Sequence, residues 1–144
     1  MGGLLNLPNE LLLLVFVDLD ETTLCSLAIL SRRVHFLALS VYFSRHGILD
    51  LEVSKSLDLC DDKMDALHGL RISLFITGIH LKRIVCKFNY KQKDKLLNQV
   101  SGVARLITKL ASVEEVTLDF ANVHHWILRY DGEIFIFNCL TTSA

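Results

Sequence analysis

The alternation of hydrophobic and polar positions divides the chain into an N-terminal part with helical periodicity and a later part with strand periodicity. Residues 7–46 predict three helices, because Pro8 and Glu10 suit a helix start, and Asp20 and Ser31 can cap the next two. The apolar positions of the third helix recur at helical spacing: Val34, Leu37, Ala38, Val41 and Tyr42. Gly47 is typical of a helix end.

The remainder of the chain predicts a small mixed region. Residues 47–70 fit a connector with a short helix, which Asp61 caps and Gly69 ends. Alternating apolar positions then predict strands, with one amphipathic helix before the last: strands near 71–77, 83–88 and 115–120, and a helix near 94–110. Strand, helix, strand is the order of a βα unit.

The end of the chain carries a hairpin signal. Asp131-Gly132 lies between two apolar stretches and is typical of a tight turn joining two strands. The chain stops soon afterwards, at Ala144, without a polar cap. We therefore expect residues 71–144 to be a shortened α/β fragment.

The first predicted helix raises a burial problem. Residues 11–17 read LLLLVFV, so apolar side chains cover every side of two helical turns, whereas a surface helix normally shows a polar face. Three short helices cannot enclose such a helix, and each exposed large apolar side chain forgoes roughly 1.5–3 kcal/mol of burial. Either the rest of the chain or another protein must cover the second face.

Neither a membrane span nor a secretory signal explains this apolar run. A span needs about 20 apolar residues, and Asp18 ends the run after seven. A secretory signal needs basic residues before its apolar core, and the chain has no Lys or Arg before Arg32. The composition agrees with a folded protein that has partner-binding surface, since 51% of residues are apolar and 22% charged. A net charge of −1 gives no electrostatic case for nucleic acid or an anionic membrane.

Candidate chemistry is sparse. The four cysteines, Cys25, Cys60, Cys86 and Cys139, form no C-x-x-C pair, which favours reduced thiols in a cytoplasmic or nuclear protein. The adjacent His124 and His125 would point to opposite faces of a strand and could not converge on one metal ion. The basic residues between Lys82 and Lys95 fit a solvated strand edge better than a binding patch. We expect no catalytic residues, no metal and no cofactor.

An ordered set of positions resembles the F-box family. The matching residues are Leu7-Pro8, Glu10-Leu11, Val15-Phe16, Leu19, Leu24, Leu27-Ala28, Leu30-Ser31-Arg32-Arg33 and Leu37. The set spans residues 4–46, a little under a third of the chain. Two positions depart from the family pattern: Leu30 replaces a usual Val, and Val34 stands where Trp or Phe is common.

The resemblance implies a three-helix module that docks onto the Skp-type adaptor of SCF ubiquitin ligases. The adaptor-facing residues that it implies are Leu7, Pro8, Leu11, Leu12, Val15, Leu24, Leu27, Leu30 and Val34. The residues that it assigns to the module's own core are Phe16, Leu19, Leu37 and Val41. The plainer alternative is that all thirteen residues form the core of an ordinary helical domain, which would leave the apolar first helix uncovered.

The expected fold class is α+β. The expected organisation is an F-box over residues 1–46, the connector over 47–70, and a fragment resembling leucine-rich repeats over 71–144. The interval of 32 residues from Ile84 to Val116 exceeds the 20–29 typical of that repeat.

The expected function is that of a non-enzymatic substrate receptor of an SCF-type ubiquitin ligase. Its partners would be the adaptor, through it a cullin, and an unidentified protein substrate, without nucleic acid or membrane. The alternative is a scaffold protein whose F-box-like module binds a different partner.

Overall fold

A computed structural model of the chain describes Gly3 and residues 6–89 and 93–120. Three helices come first: α1 (Asn9–Val17), α2 (Glu21–Ala28) and α3 (Arg32–Arg45). A mixed region follows, which we call the sheet region, comprising α4 (Leu51–Ser54), β1 (Ser56–Leu59), a 3-10 helix (Asp61–Ala66), α5 (Leu67–Ile72), β2 (His80–Lys87), α6 (Lys93–Ile107) and β3 (Ser112–Asp119). The predicted α+β class, with three N-terminal helices, is confirmed.

The helix boundaries follow from local capping chemistry. The Asp20 carboxylate accepts a hydrogen bond from the Thr23 backbone N–H at 2.9 Å, and the Thr23 hydroxyl also donates to it at 2.6 Å. Both hydrogen bonds lower the pKa of Asp20, the hydroxyl contributing most. Ser31 caps α3 by accepting from the Val34 N–H at 3.3 Å. Gly47 follows α3 with a φ of +62°, a left-handed conformation that glycine adopts without steric cost.

The three strands form a parallel sheet in the order β1-β2-β3. The register places Leu57, Ile84 and Val116 side by side, so equivalent strand positions are 27 and 32 residues apart. The buried face of the sheet belongs to the same core as Val103 and Leu106 of α6. The predicted helix at 94–110 and the strands at 83–88 and 115–120 are thus confirmed within a few residues. The leucine-rich-repeat resemblance stays a prediction.

The strand predicted at 71–77 is wrong. Residues 71 and 72 end α5, and no strand follows before His80. Ile76 is fully buried, but Leu74 is 52% exposed, so the apolar alternation does not mark a buried sheet face. The backbone N–H of Leu74 donates to Nε2 of His35 at 3.0 Å and not to a neighbouring strand.

The first strand of the sheet instead lies within the segment predicted as a connector. β1 has only four residues, SLDL, of which Leu57 and Leu59 are buried. Two alternating apolar positions are too few to predict a strand from sequence, because only pairing with β2 selects the extended conformation. The connector therefore contributes to the folded core.

Gly69 does not end the short helix, as the sequence had indicated, but lies within α5. The Tyr42 ring occupies the space above it, so a Cβ on Gly69 would lie 2.3 Å from Tyr42 Cε1. The Tyr42 hydroxyl donates to the carbonyl oxygen of Asp65 at 3.0 Å. This contact fastens α3 to the segment that leads into α5.

A second junction between the two parts of the chain is formed by a buried histidine. His35 Nδ1 lies 2.8 Å from the carbonyl oxygen of Ala28, and its Nε2 accepts the Leu74 N–H, which together fix the neutral tautomer with the proton on Nδ1. Phe75 packs edge-on against Phe36, with ring centroids 4.8 Å apart. The three helices and the sheet region therefore share one continuous core.

Several sequence features lie outside the described residues: Asp131-Gly132, His124-His125, Cys139 and the end of the chain. Within the described ranges, no helix is both long enough and apolar enough to cross a bilayer.

We predict that Gly69→Ala destabilises the protein. Overpacking a dense core costs about 1–3 kcal/mol, and the better helix propensity of Ala returns only about 0.5–1 kcal/mol of it. The free energy of unfolding, measured by urea titration, should fall by about 1–2 kcal/mol. The matched control is His68→Ala, an exposed neighbour on the same helix, which should change it by no more than about 0.5 kcal/mol. Equal stability of the two variants would contradict the packing argument.

We also predict selective cysteine alkylation. Burial, and to a lesser extent the nearby Cys60, raises the pKa of the Cys86 thiol to about 12. At pH 8 only about one Cys86 in ten thousand would be a thiolate, the reactive form, and this fraction grows as pH rises toward 12. Iodoacetamide should therefore modify the partly exposed Cys60 and spare Cys86 in the folded protein, whereas both should react in urea. Peptide mapping by mass spectrometry tests this, and equal native rates would contradict it.

Candidate docking surface

Two arginines of α3 hold α1 in place. At one end, Arg33 donates to the carbonyl oxygen of Leu7 and, through Nε at 2.8 Å, to the Asn9 side chain. At the other end, Arg45 donates to the carbonyl oxygen of Val17 at 2.6 Å and so satisfies a backbone acceptor that the helix leaves free. The two arginines lie near opposite ends of α3. The helices α1 and α3 therefore run side by side in the same direction, with α1 fixed at both ends.

This placement gives α1 one buried and one exposed apolar face. Leu12 and Phe16, one helical turn apart, point into the core and are almost fully buried. Leu11 and Val15, also one turn apart, remain 46% and 41% exposed. Leu14 and Val17 are exposed as well. The apolar second face predicted from the sequence is thus present, and the residues of the sheet region that the structure describes leave it exposed.

The nine residues predicted to face an adaptor divide into three groups. Exposed residues come first: Pro8, Leu11, Val15 and Leu30. Leu7 and Leu27 are half-buried. Leu12, Leu24 and Val34 are fully buried in the module's own core. The expectation that Leu12 lines an exposed patch with Leu11 and Val15 is therefore wrong, because on a helix it lies about 100° from Leu11 and turns toward α3.

Leu24 and Val34 are buried because the helices that carry them pack against each other. α2 and α3 pack closely along their length, and the side chains between them have no access to solvent. Among the residues assigned to the core, Phe16 is buried, whereas Leu19, Leu37 and Val41 are partly buried and pack against that core.

Leu30 joins the exposed residues of α1 at one end of the bundle. It follows the last turn of α2, where its backbone N–H donates to the Leu27 carbonyl at 3.0 Å, and its side chain is 62% exposed. Arg33, three residues later, binds Leu7, the residue before Pro8. Leu30 and Pro8 therefore lie at the same end of the module. We define the docking surface as Pro8, Leu11, Val15 and Leu30.

Sequence reasoning missed three exposed apolar residues of the three-helix module: Leu14, Val17 and Ile29. Leu14 belongs to the same apolar run as Leu11, so the run itself could have indicated it, but the family pattern does not include it. Ile29 directly follows α2, and no periodicity marks the side chains of such a turn.

The docking surface is suited to binding and not to bond-breaking chemistry. Its four side chains carry no acid, base or nucleophile. Elsewhere, His80 Nδ1 lies 2.8 Å from the Ser112 hydroxyl, and Cys86 is buried. The part of the chain that the structure describes contains no group of three or more metal-ligating side chains. An aliphatic surface of this kind gains free energy when another apolar surface covers it.

Comparison with known proteins assigns the helical module. The family model of the F-box-like domain matches residues 4–46, the same segment that holds α1, α2 and α3. No curated protein and no solved structure matches the chain. The match does not extend to the sheet region. Residues 4–46, which hold the three N-terminal helices, are therefore an F-box-like domain.

Proposed function

We propose that this protein is the substrate-receptor subunit of an SCF-type ubiquitin ligase. An F-box-like domain is a protein-interaction module, commonly one for adaptor binding. The observation that carries the proposal is the exposed apolar face of α1 together with Leu30. The Skp-type adaptor would cover this face and would link the receptor to a cullin.

The energetics support a protein partner for this surface. Complete burial of one large aliphatic side chain contributes about 1.5–3 kcal/mol. Leu11, Val15 and Leu30 are each about half exposed, so covering them would contribute a few kcal/mol in total. A few well-packed anchors of this kind supply most of the binding energy in many interfaces. Isolated exposed leucines need no explanation, but a cluster on one rigid helix does.

The rest of the chain would hold the substrate. The Tyr42–Asp65 hydrogen bond and the His35 junction fasten the sheet region to the F-box-like domain. A substrate bound there would keep a defined position relative to the adaptor. In this proposal the protein acts by tethering, other subunits carry out ubiquitin transfer, and the protein works in the cytoplasm or nucleus.

A scaffold protein with a different partner is the second candidate. The observation that favours it is the burial of Leu12, Leu24 and Val34, which leaves fewer adaptor-facing residues than the resemblance implies. Such a protein would use the same exposed face of α1 but would bring no cullin with it.

We predict that Leu11→Asp combined with Val15→Asp abolishes adaptor binding. Two uncompensated charges in an apolar contact cost several kcal/mol, and every 1.4 kcal/mol is about tenfold in affinity. The adaptor dissociation constant, measured by calorimetry, should rise at least about 100-fold. The fold should survive, since both side chains are partly exposed, whereas the buried Leu12 and Phe16 remain in the core. Circular dichroism checks this.

The matched control is Leu49→Asp combined with Val53→Asp. Both residues are exposed aliphatics outside the F-box-like domain, so the change in composition is the same. Wild-type affinity in the control and loss of binding in the α1 variant would support the proposal. Failure of the wild-type protein to bind the adaptor would reject it. Adaptor binding without co-purification of a cullin would favour the scaffold candidate.

A further inference from the structure

A second surface feature lies between the F-box-like domain and the sheet region. The outer face of α2 and the segment from Asp65 to Ile72 enclose an open cleft of about 490 Å³. Its floor consists of Cys25 and Tyr42, and Ile29 and Ile72 face it from opposite sides. None of the four docking-surface residues lines this cleft. It is therefore separate from the proposed adaptor contact.

The two sides of the cleft are held apart by fixed packing. Tyr42 is almost fully buried, and its ring lies against Gly69 of α5. Its hydroxyl donates to the carbonyl oxygen of Asp65 at 3.0 Å. A ligand would thus meet a preformed cleft and would not have to order it, which removes part of the entropic cost of binding.

The charge in the cleft has one sign. Among the described residues that line it, the acidic ones are Glu21 on the α2 side and Asp65 on the opposite side, and none is a Lys or an Arg. Glu21 lies 3.3 Å from His46 Nε2, yet its side chain remains 48% exposed. Both carboxylates are therefore open to a ligand that brings a positive charge.

The floor of the cleft also experiences this negative charge. Burial, followed by nearby negative groups that include Glu21 and Asp65, raises the pKa of Tyr42 to about 12. Burial and then Glu21 raise the pKa of the Cys25 thiol. Both groups are held in their neutral forms because an additional negative charge would be unfavourable there. The negative groups around the floor, unlike its burial, would favour a cation there.

We propose that this cleft binds an arginine side chain on a peptide segment whose neighbouring residues are aliphatic. The guanidinium would lie between Glu21 and Asp65, and the aliphatic neighbours would contact Ile29 and Ile72. Arginine suits the site better than lysine, because its planar group is less strongly hydrated and can donate to two acceptors at once. The assignment of this peptide to a recruited substrate rests on the proposed receptor function. The binding of the peptide to the cleft does not depend on that function.

The probe is the peptide acetyl-Leu-Arg-Leu-amide, titrated into the full chain and followed by amide chemical shifts in NMR spectra. Shifts should be concentrated in residues 21–29 and 65–72. Replacement of arginine by citrulline keeps the shape and removes the charge, so it should weaken binding at least about fivefold. Raising the salt concentration should weaken the arginine peptide and leave the citrulline peptide almost unchanged.

Two variants locate the site. Glu21→Gln and Asp65→Asn should each weaken the arginine peptide by about three- to tenfold. The matched control, Glu114→Gln, removes an exposed carboxylate on β3 and should not change the affinity. Equal binding of the citrulline peptide, shifts elsewhere, or no shifts at millimolar peptide would overturn the inference. The adaptor titration is separate, so this inference can fail while the proposed function stands, and the reverse.

Discussion

The contact between the Tyr42 ring and the backbone of Gly69 joins the two parts of this protein. Tyr42 belongs to the helical module and Gly69 to α5 of the sheet region, and the ring fits only because residue 69 has no side chain. The tyrosine hydroxyl then binds the carbonyl oxygen of Asp65, which satisfies a polar group at the edge of the core. Tyr42 also forms part of the floor of the cleft. The same tyrosine therefore contributes both to the packing between the two parts of the chain and to the position of the cleft.

The docking surface depends on a different kind of constraint. An apolar helix can bury only the side that faces its neighbour, and the orientation of α1 decides which residues remain outside. Arg33 and Arg45 fix that orientation by binding backbone oxygens near the two ends of α1. Their role is geometric, and the apolar side chains supply the binding energy. This division explains how a helix with little amphipathic character can still present one defined face to a partner.

The features that the sequence predicted correctly depend on short-range interactions. Asp20, Ser31 and Gly47 act on backbone groups within a few residues, so they set helix ends without reference to the rest of the fold. The long periodic pattern of α6 likewise predicts a helix without reference to the rest of the fold. The unusual apolar content of α1 also predicted correctly that the three helices by themselves leave one of its faces uncovered.

Local sequence patterns are therefore sufficient to specify the N-terminal helical module, its caps, and the excess of apolar surface on α1. Packing between distant parts of the chain selects which of those apolar residues stay exposed: Leu11 and Leu12 are adjacent and chemically identical, yet only Leu12 is buried. Long-range contacts also select residues 56–59, and not 71–77, as the first strand. Strand pairing is an interaction between distant segments, and the four residues of β1 do not specify it by themselves. Gly69 shows the same limit, since a glycine that ends a helix and one that admits a distant ring look alike in sequence.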